Sequence, residues 1–118
     1  DFRNYEDAWG EKWQGLLKNY PDSTSNYDNQ ANQLLAGNLK GKLLIAHGTM
    51  DSNLPPSNTL LLVDALIAAN KDFDLLMLPN RGHSFGSEPY MMRRRWDYFV
   101  RYLLGVEPPK EYMFKYVR

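Results

Sequence analysis

At 118 residues the chain has the size of one ordinary domain, and 43% hydrophobic with 24% charged residues is the balance of soluble globular proteins. Fourteen Lys and Arg offset fourteen Asp and Glu, which excludes a basic footprint for nucleic acid or an anionic membrane surface. The lack of cysteine excludes disulfides and thiol catalysis. No apolar run nears the roughly 20 residues that span a bilayer, so no membrane insertion is expected.

The chain opens DFRNYEDAWG, without initiator methionine or targeting segment, a start expected of a piece of a longer protein. Tyr5, Trp9, Trp13 and Leu16–Leu17 recur at helical spacing and predict a short helix within residues 1–20, despite Gly10 and Gly15, with Trp13 facing a core. Polar residues 21–32 predict a loop, and a helical turn is expected around Gln33–Ala36, ended by Gly37. Leu43–Ala46, bounded by Gly41 and Gly48, reads as a strand buried on both faces, the habit of parallel sheets. Pro55-Pro56-Ser57 opens a helix. Its Leu62, Leu66 and Ala69, with Val63 and Ile67 alongside, predict a wide buried stripe. Phe73–Leu78 is a second apolar strand, closed by Pro79-Asn80. A last helix begins near Ser87–Pro89, carries Met92, Trp96, Phe99, Val100 and Leu103 at helical spacing, and ends by Gly105 and Pro108-Pro109. Strand, helix, strand, helix predicts an α/β class with a right-handed parallel crossover. Two strands do not complete a sheet, so the expectation is the C-terminal part of a larger α/β domain. The alternative is a small autonomous α/β domain with a third strand within residues 1–40.

Two readings compete at residues 82–86, Gly-His-Ser-Phe-Gly. The letters match the G-x-S-x-G nucleophile elbow, in which a serine stands on a sharp turn directly between strand and helix. Here Ser84 lies six residues past Leu78 and no histidine follows it, whereas an α/β-hydrolase needs its acid and then its histidine downstream. The pattern is therefore a decoy, and His83 is the stronger candidate. It follows the last apolar strand, while Asp51 follows the preceding one in His47-Gly48-Thr49-Met50-Asp51. That places both at the carboxyl edge of the sheet, where ligand sites of parallel sheets gather. A carboxylate there can orient an imidazole base and stabilise its charged form. His47, close to Asp51 in sequence, reads as structural. Two distant histidines and no cysteine make a zinc site poorly supported, and no cofactor is expected.

The stretches NLKGKLLIAHGTMDSNLPP and FDLLMLPNRGHSF resemble the prolyl oligopeptidase family, and within it the dipeptidyl peptidase IV subfamily. The most specific parts are H-G-x-x-D-x-N at 47–53 and R-G-H at 81–83. The resemblance implies the C-terminal portion of an α/β-hydrolase fold in a serine peptidase that cleaves short peptides, often after proline. It implies Asp51 as triad acid, His83 as triad base, and Asn53 as a ligand for a substrate carbonyl oxygen. YEDAWGEKWQG resembles the subfamily stretch whose first two tyrosines wall the pocket for the residue before the scissile bond, which puts Tyr5 and Trp9 there. Tryptophan at position 9 departs from that pattern, which puts strict proline preference in question.

The nucleophilic serine, the oxyanion donors and the family's β-propeller fall upstream of the matched region. Residues 1–118 alone are therefore expected to be inactive. The expected partners are a peptide substrate, the nucleophile-bearing remainder of the same enzyme with its β-propeller, and a second copy of the chain through residues 88–104. Family habit points to an extracytoplasmic setting, periplasmic or secreted. An esterase-type hydrolase segment and a non-catalytic interaction module are the competing readings. Arg93-Arg94-Arg95 reads as a solvated or domain-facing surface, and Met91-Met92 as core.

Overall fold

The computed structural model describes residues 1–115. They form two units, Asp1–His83 and a second that begins at Ser84.

The first unit starts with a tight turn at Phe2–Asn4 and helix α1, Asp7–Gln14. Gly15 ends α1 with φ at 74°, a conformation that favours glycine, so the helix is shorter than its aromatic spacing suggests. Trp13 is not core-facing: it is 66% exposed, and the Lys12 ammonium sits 5.0 Å from its ring. Helical spacing marks an apolar face, but among the described residues no core packs against Trp13. Arg3 ties the N-terminal turn to the loop that follows, pairing with Asp1 at 2.6 Å and Asp28 at 2.8 Å. The helical turn expected near Gln33–Ala36 spans Asn32–Asn38 and packs against the next helix.

Strands β1 (Leu44–Gly48) and β2 (Asp74–Leu78) pair in parallel, from Leu44 opposite Asp74 to Gly48 opposite Leu78. Helix α2, Pro56–Ala68, connects them. Pro56 opens α2 where a missing N–H costs nothing. The other end closes in a Schellman motif: Asn70 takes φ of 53° and donates to Ile67, while Lys71 donates to Leu66. Among the described residues β1 and β2 are the only paired strands. Residues 1–40 contribute a single antiparallel bridge, Asn19 to Ser25, and no third strand.

The core of this unit is small: Tyr27, Ala31, Ala36, Leu66 and Leu78. The two-sided burial expected of Leu43–Ala46 is not met, since all four are only partly buried, and on the second strand Leu75 is 39% exposed. Nor is the broad stripe on α2, where Leu66 is buried but Ile67 is exposed. An apolar face announces that a partner is needed, not that the same 118 residues supply it.

In the second unit, helix α3 (Pro89–Phe99) runs into a wider turn at Val100–Leu104, capped by Gly105. Met91 is buried, while Trp96, Phe99 and Leu103 are exposed. Arg93 and Arg94 lie over the Tyr90 ring, and Arg95 donates to the Gly86 carbonyl at 3.0 Å. The arginine run thus braces its own helix start rather than forming one clamp.

Candidate active site

The carboxyl ends of β1 and β2 are joined by more than their ladder. Beyond the last strand pair, Thr49 donates its N–H to the Leu78 carbonyl and Met50 to that of Arg81, at 3.0 and 2.9 Å. The Thr49 hydroxyl accepts from the Asn80 N–H at 3.0 Å, while Asn80 turns the chain with φ of 58°. Gly48 makes this closeness possible. A Cβ there would lie inside the carbonyl oxygens of Arg81 and Gly82, both backbone atoms that cannot swing away. Sequence reasoning used Gly48 as a strand boundary and as a position of the H-G-x-x-D-x-N motif, without a packing role, and gave Thr49 no role. The available signal was a glycine on the last residue of a strand, next to candidate site residues.

Those two loops bring Asp51 and His83 together. Asp51 Oδ2 accepts from His83 Nδ1 at 2.8 Å. Asp51 Oδ1 accepts from the backbone N–H groups of Asn53 and Leu54, each at 3.0 Å. The acid therefore folds its own turn, as Asp commonly does. Asp51 is buried, and burial pushes its carboxyl up. The hydrogen bonds from Leu54, His83 and Asn53, with the nearby His83 charge, outweigh it and hold the group below its ordinary value. Because a carboxylate only accepts, His83 Nδ1 carries its hydrogen, and in the neutral ring Nε2 is the nitrogen with the lone pair. The His83 side chain is 46% exposed against 4% for Asp51, so a buried acid orients an accessible base.

Ser84 does not stand on an elbow: helix α3 begins only at Pro89, and Ser84 lacks a positive φ. His47 is buried and hydrogen-bonded through both ring nitrogens, to Thr59 and to the Leu54 carbonyl.

Tyr5 lines a cavity of about 280 Å³ with Asp1, Phe2, Leu54 and Asn58. Leu54 belongs to the turn that Asp51 closes, so cavity and pair share one loop. Trp9 is not among the lining residues. It is 42% exposed, with the Lys12 ammonium 5.2 Å from its ring. Asn53 gives its N–H to Asp51, and its side-chain oxygen faces the Ser52 hydroxyl at 3.5 Å. A larger cavity, about 470 Å³, belongs to the second unit and is lined by Tyr90, Arg93 and residues 111–114 among others. It contains neither member of the pair and is not the candidate site. Among the described residues no group of three potential ligands could hold a metal ion.

Comparison with known proteins bears on family and fold. A family model described as "Prolyl oligopeptidase family" matches residues 1–105. The chain is 30% identical over 103 residues to "Dipeptidyl peptidase family member 1" of Caenorhabditis elegans, covering 86% of this chain and 12% of that protein. It is similar in structure to Porphyromonas gingivalis dipeptidyl peptidase 4, with TM-score 0.69, 28% identity, and coverage of 85% here and 14% there. A second structure, a putative dipeptidyl aminopeptidase IV from Bacteroides ovatus, gives TM-score 0.65 at 26% identity, covering 86% of this chain and 14% of that one. The chain thus spans about one eighth of the length of these relatives. Its strand–helix–strand unit is a portion of an α/β-hydrolase fold.

Proposed function

The chain belongs to the prolyl oligopeptidase family, and from that premise we propose that it supplies the acid and base of a dipeptidyl peptidase-like serine peptidase. The observation that carries this is the 2.8 Å bond from His83 Nδ1 to the buried Asp51, with the other ring nitrogen unengaged by it. In the reaction, a seryl hydroxyl delivered from outside residues 1–118 attacks the substrate carbonyl carbon, and its proton passes to His83 Nε2. Asp51 holds the tautomer and stabilises the imidazolium. The proton then goes to the leaving amine as the C–N bond breaks, leaving an acyl-enzyme. Water repeats the cycle and releases the peptide acid.

The cavity beside Tyr5 takes the residue before the scissile bond. Its aromatic and aliphatic lining suits a proline ring or a small side chain, which buries apolar surface and needs no hydrogen bond. Asn53, two residues from the acid, holds a substrate carbonyl oxygen in this reading, its nearness to Asp51 being the support. Trp9 does not line the cavity described above, and in this reading it serves as the second aromatic wall of the pocket in the complete enzyme. The nucleophile-bearing segment and a β-propeller complete that enzyme. The exposed Trp96, Phe99 and Leu103 serve contact with a second copy.

The test is turnover of an Xaa-Pro chromogenic dipeptide by the full-length enzyme and by residues 1–118. The full-length enzyme is expected to be active and to lose activity in His83→Ala. Residues 1–118 are expected to be inactive. Turnover by residues 1–118 that disappears in Ser84→Ala would restore the elbow reading and sink this one.

A further inference from the structure

The proposed mechanism leaves a second imidazole unused. His47, in the last turn of the ladder on β1, is 4% exposed. Its Nε2 lies 2.9 Å from the Leu54 carbonyl oxygen, which only accepts, so Nε2 carries a hydrogen. Its Nδ1 lies 2.6 Å from the hydroxyl of Thr59 on α2. The same Nε2 stands 3.4 Å from Asp51 Oδ2, the oxygen that accepts from His83. One carboxylate oxygen therefore has an imidazole on each side, one buried and one accessible.

We propose that His47 is a positioning residue for the Asp51–His83 pair. Thr59 holds the ring so that Nε2–H ties down Leu54 and faces Asp51 Oδ2, which fixes how the carboxylate meets His83. The proposal rests on the reading of Asp51 and His83 as acid and base. Its physical ground is the softness of the carboxylate torsion, which is broad rather than staggered. Backbone N–H groups hold Oδ1, whereas Oδ2 accepts from His83, itself half exposed, and has the His47 ring 3.4 Å away, its Nε2–H given to Leu54. Pairing of both ring nitrogens, which burial of an imidazole demands, fixes the orientation of the ring beside Asp51. The same ring links the acid to Leu54, a wall of the cavity, so it sets the pair and the pocket in one register.

The test uses the full-length enzyme, with active sites counted by prolonged labelling with a fluorophosphonate and turnover expressed per labelled site. His47→Phe is expected to lower kcat per site by roughly 10- to 100-fold, the range for outer partners of a catalytic ligand. His47→Gln, which restores an amide N–H near the Nε2 position, is expected to recover most of that loss. Thr59→Val keeps the imidazole but frees its rotation, and is expected to lower kcat per site several-fold with little change in KM. A purely structural role would reduce the number of labelled sites and leave the rate at each unchanged, and that result overturns the proposal. If His47→Phe yields no labelled sites, Thr59→Val decides by the same criterion. An Asp51→Asn enzyme of full activity would instead overturn the acid–base reading underneath. An inactive Asp51→Asn beside an unaffected His47→Phe would remove only the positioning role.

Discussion

The two ends of the β1–β2 ladder are made from the same pair of strands yet are built differently. At the carboxyl end, His47, Gly48 and Leu78 are buried, and two loops exchange backbone and side-chain hydrogen bonds beyond the last strand pair. At the amino end, Asp74 and Leu75 are exposed, and the flanking loops present Lys40, Lys42, Lys71 and Asp72 around a shallow polar cavity. The contrast shows where order is concentrated. The strands position the site, but what brings an acid and a base from separate loops within bonding distance is the contact between those loops.

Three substitutions and one pH dependence break or sharpen that contrast. The largest effect is expected from Asp51→Asn in the full-length enzyme. The amide keeps an acceptor for the Asn53 and Leu54 N–H groups but turns a donor toward His83 Nδ1, favouring the wrong tautomer. Steady-state turnover should fall roughly ten-thousandfold. Next is Gly48→Ala, which forces a methyl group into the Arg81 and Gly82 carbonyls. Urea unfolding should show a loss of about 3 kcal/mol, at the upper end of overpacking costs. An unchanged midpoint would mean that the loops are not as closely joined as described.

The third effect is a pH dependence. Asp51 is held below its ordinary value of 3.8, so the unfolded chain binds its proton first as pH falls. Its contribution to stability is complete above that value and is lost as pH drops through the lower, folded one. Thermal midpoints of the wild type should therefore approach those of Asp51→Asn below about pH 4 and exceed them at pH 6. The smallest effect belongs to the amino end. Lys71→Ala leaves the backbone bond from Lys71 to Leu66 in place and should change stability by no more than about 0.5 kcal/mol.

Sequence reading went furthest where chemistry is local. Proline at the start of α2 and the apolar runs 43–46 and 73–78 each specify an element with few neighbours, and those elements are present. The proximity of Asp51 and His83 also followed, because parallel strands deliver the loops after them to one edge. The failures share a cause. Trp13, Ile67 and Leu75 have the spacing of buried positions, but spacing does not state whether the covering layer lies in the same stretch of chain. The packing roles of Gly48 and Thr49 were passed over because they depend on residues 78–82, about thirty positions away, and appear only when both loops are seen together.

The turn that Asp51 closes with its own Oδ1 has a practical corollary. Truncating that side chain to alanine would remove an orienter and dissolve its mounting at the same time, so the measured deficit would merge chemistry with architecture. Comparing the alanine and asparagine replacements separates the two, and their difference reports how much of the residue's worth is spent on holding its own loop.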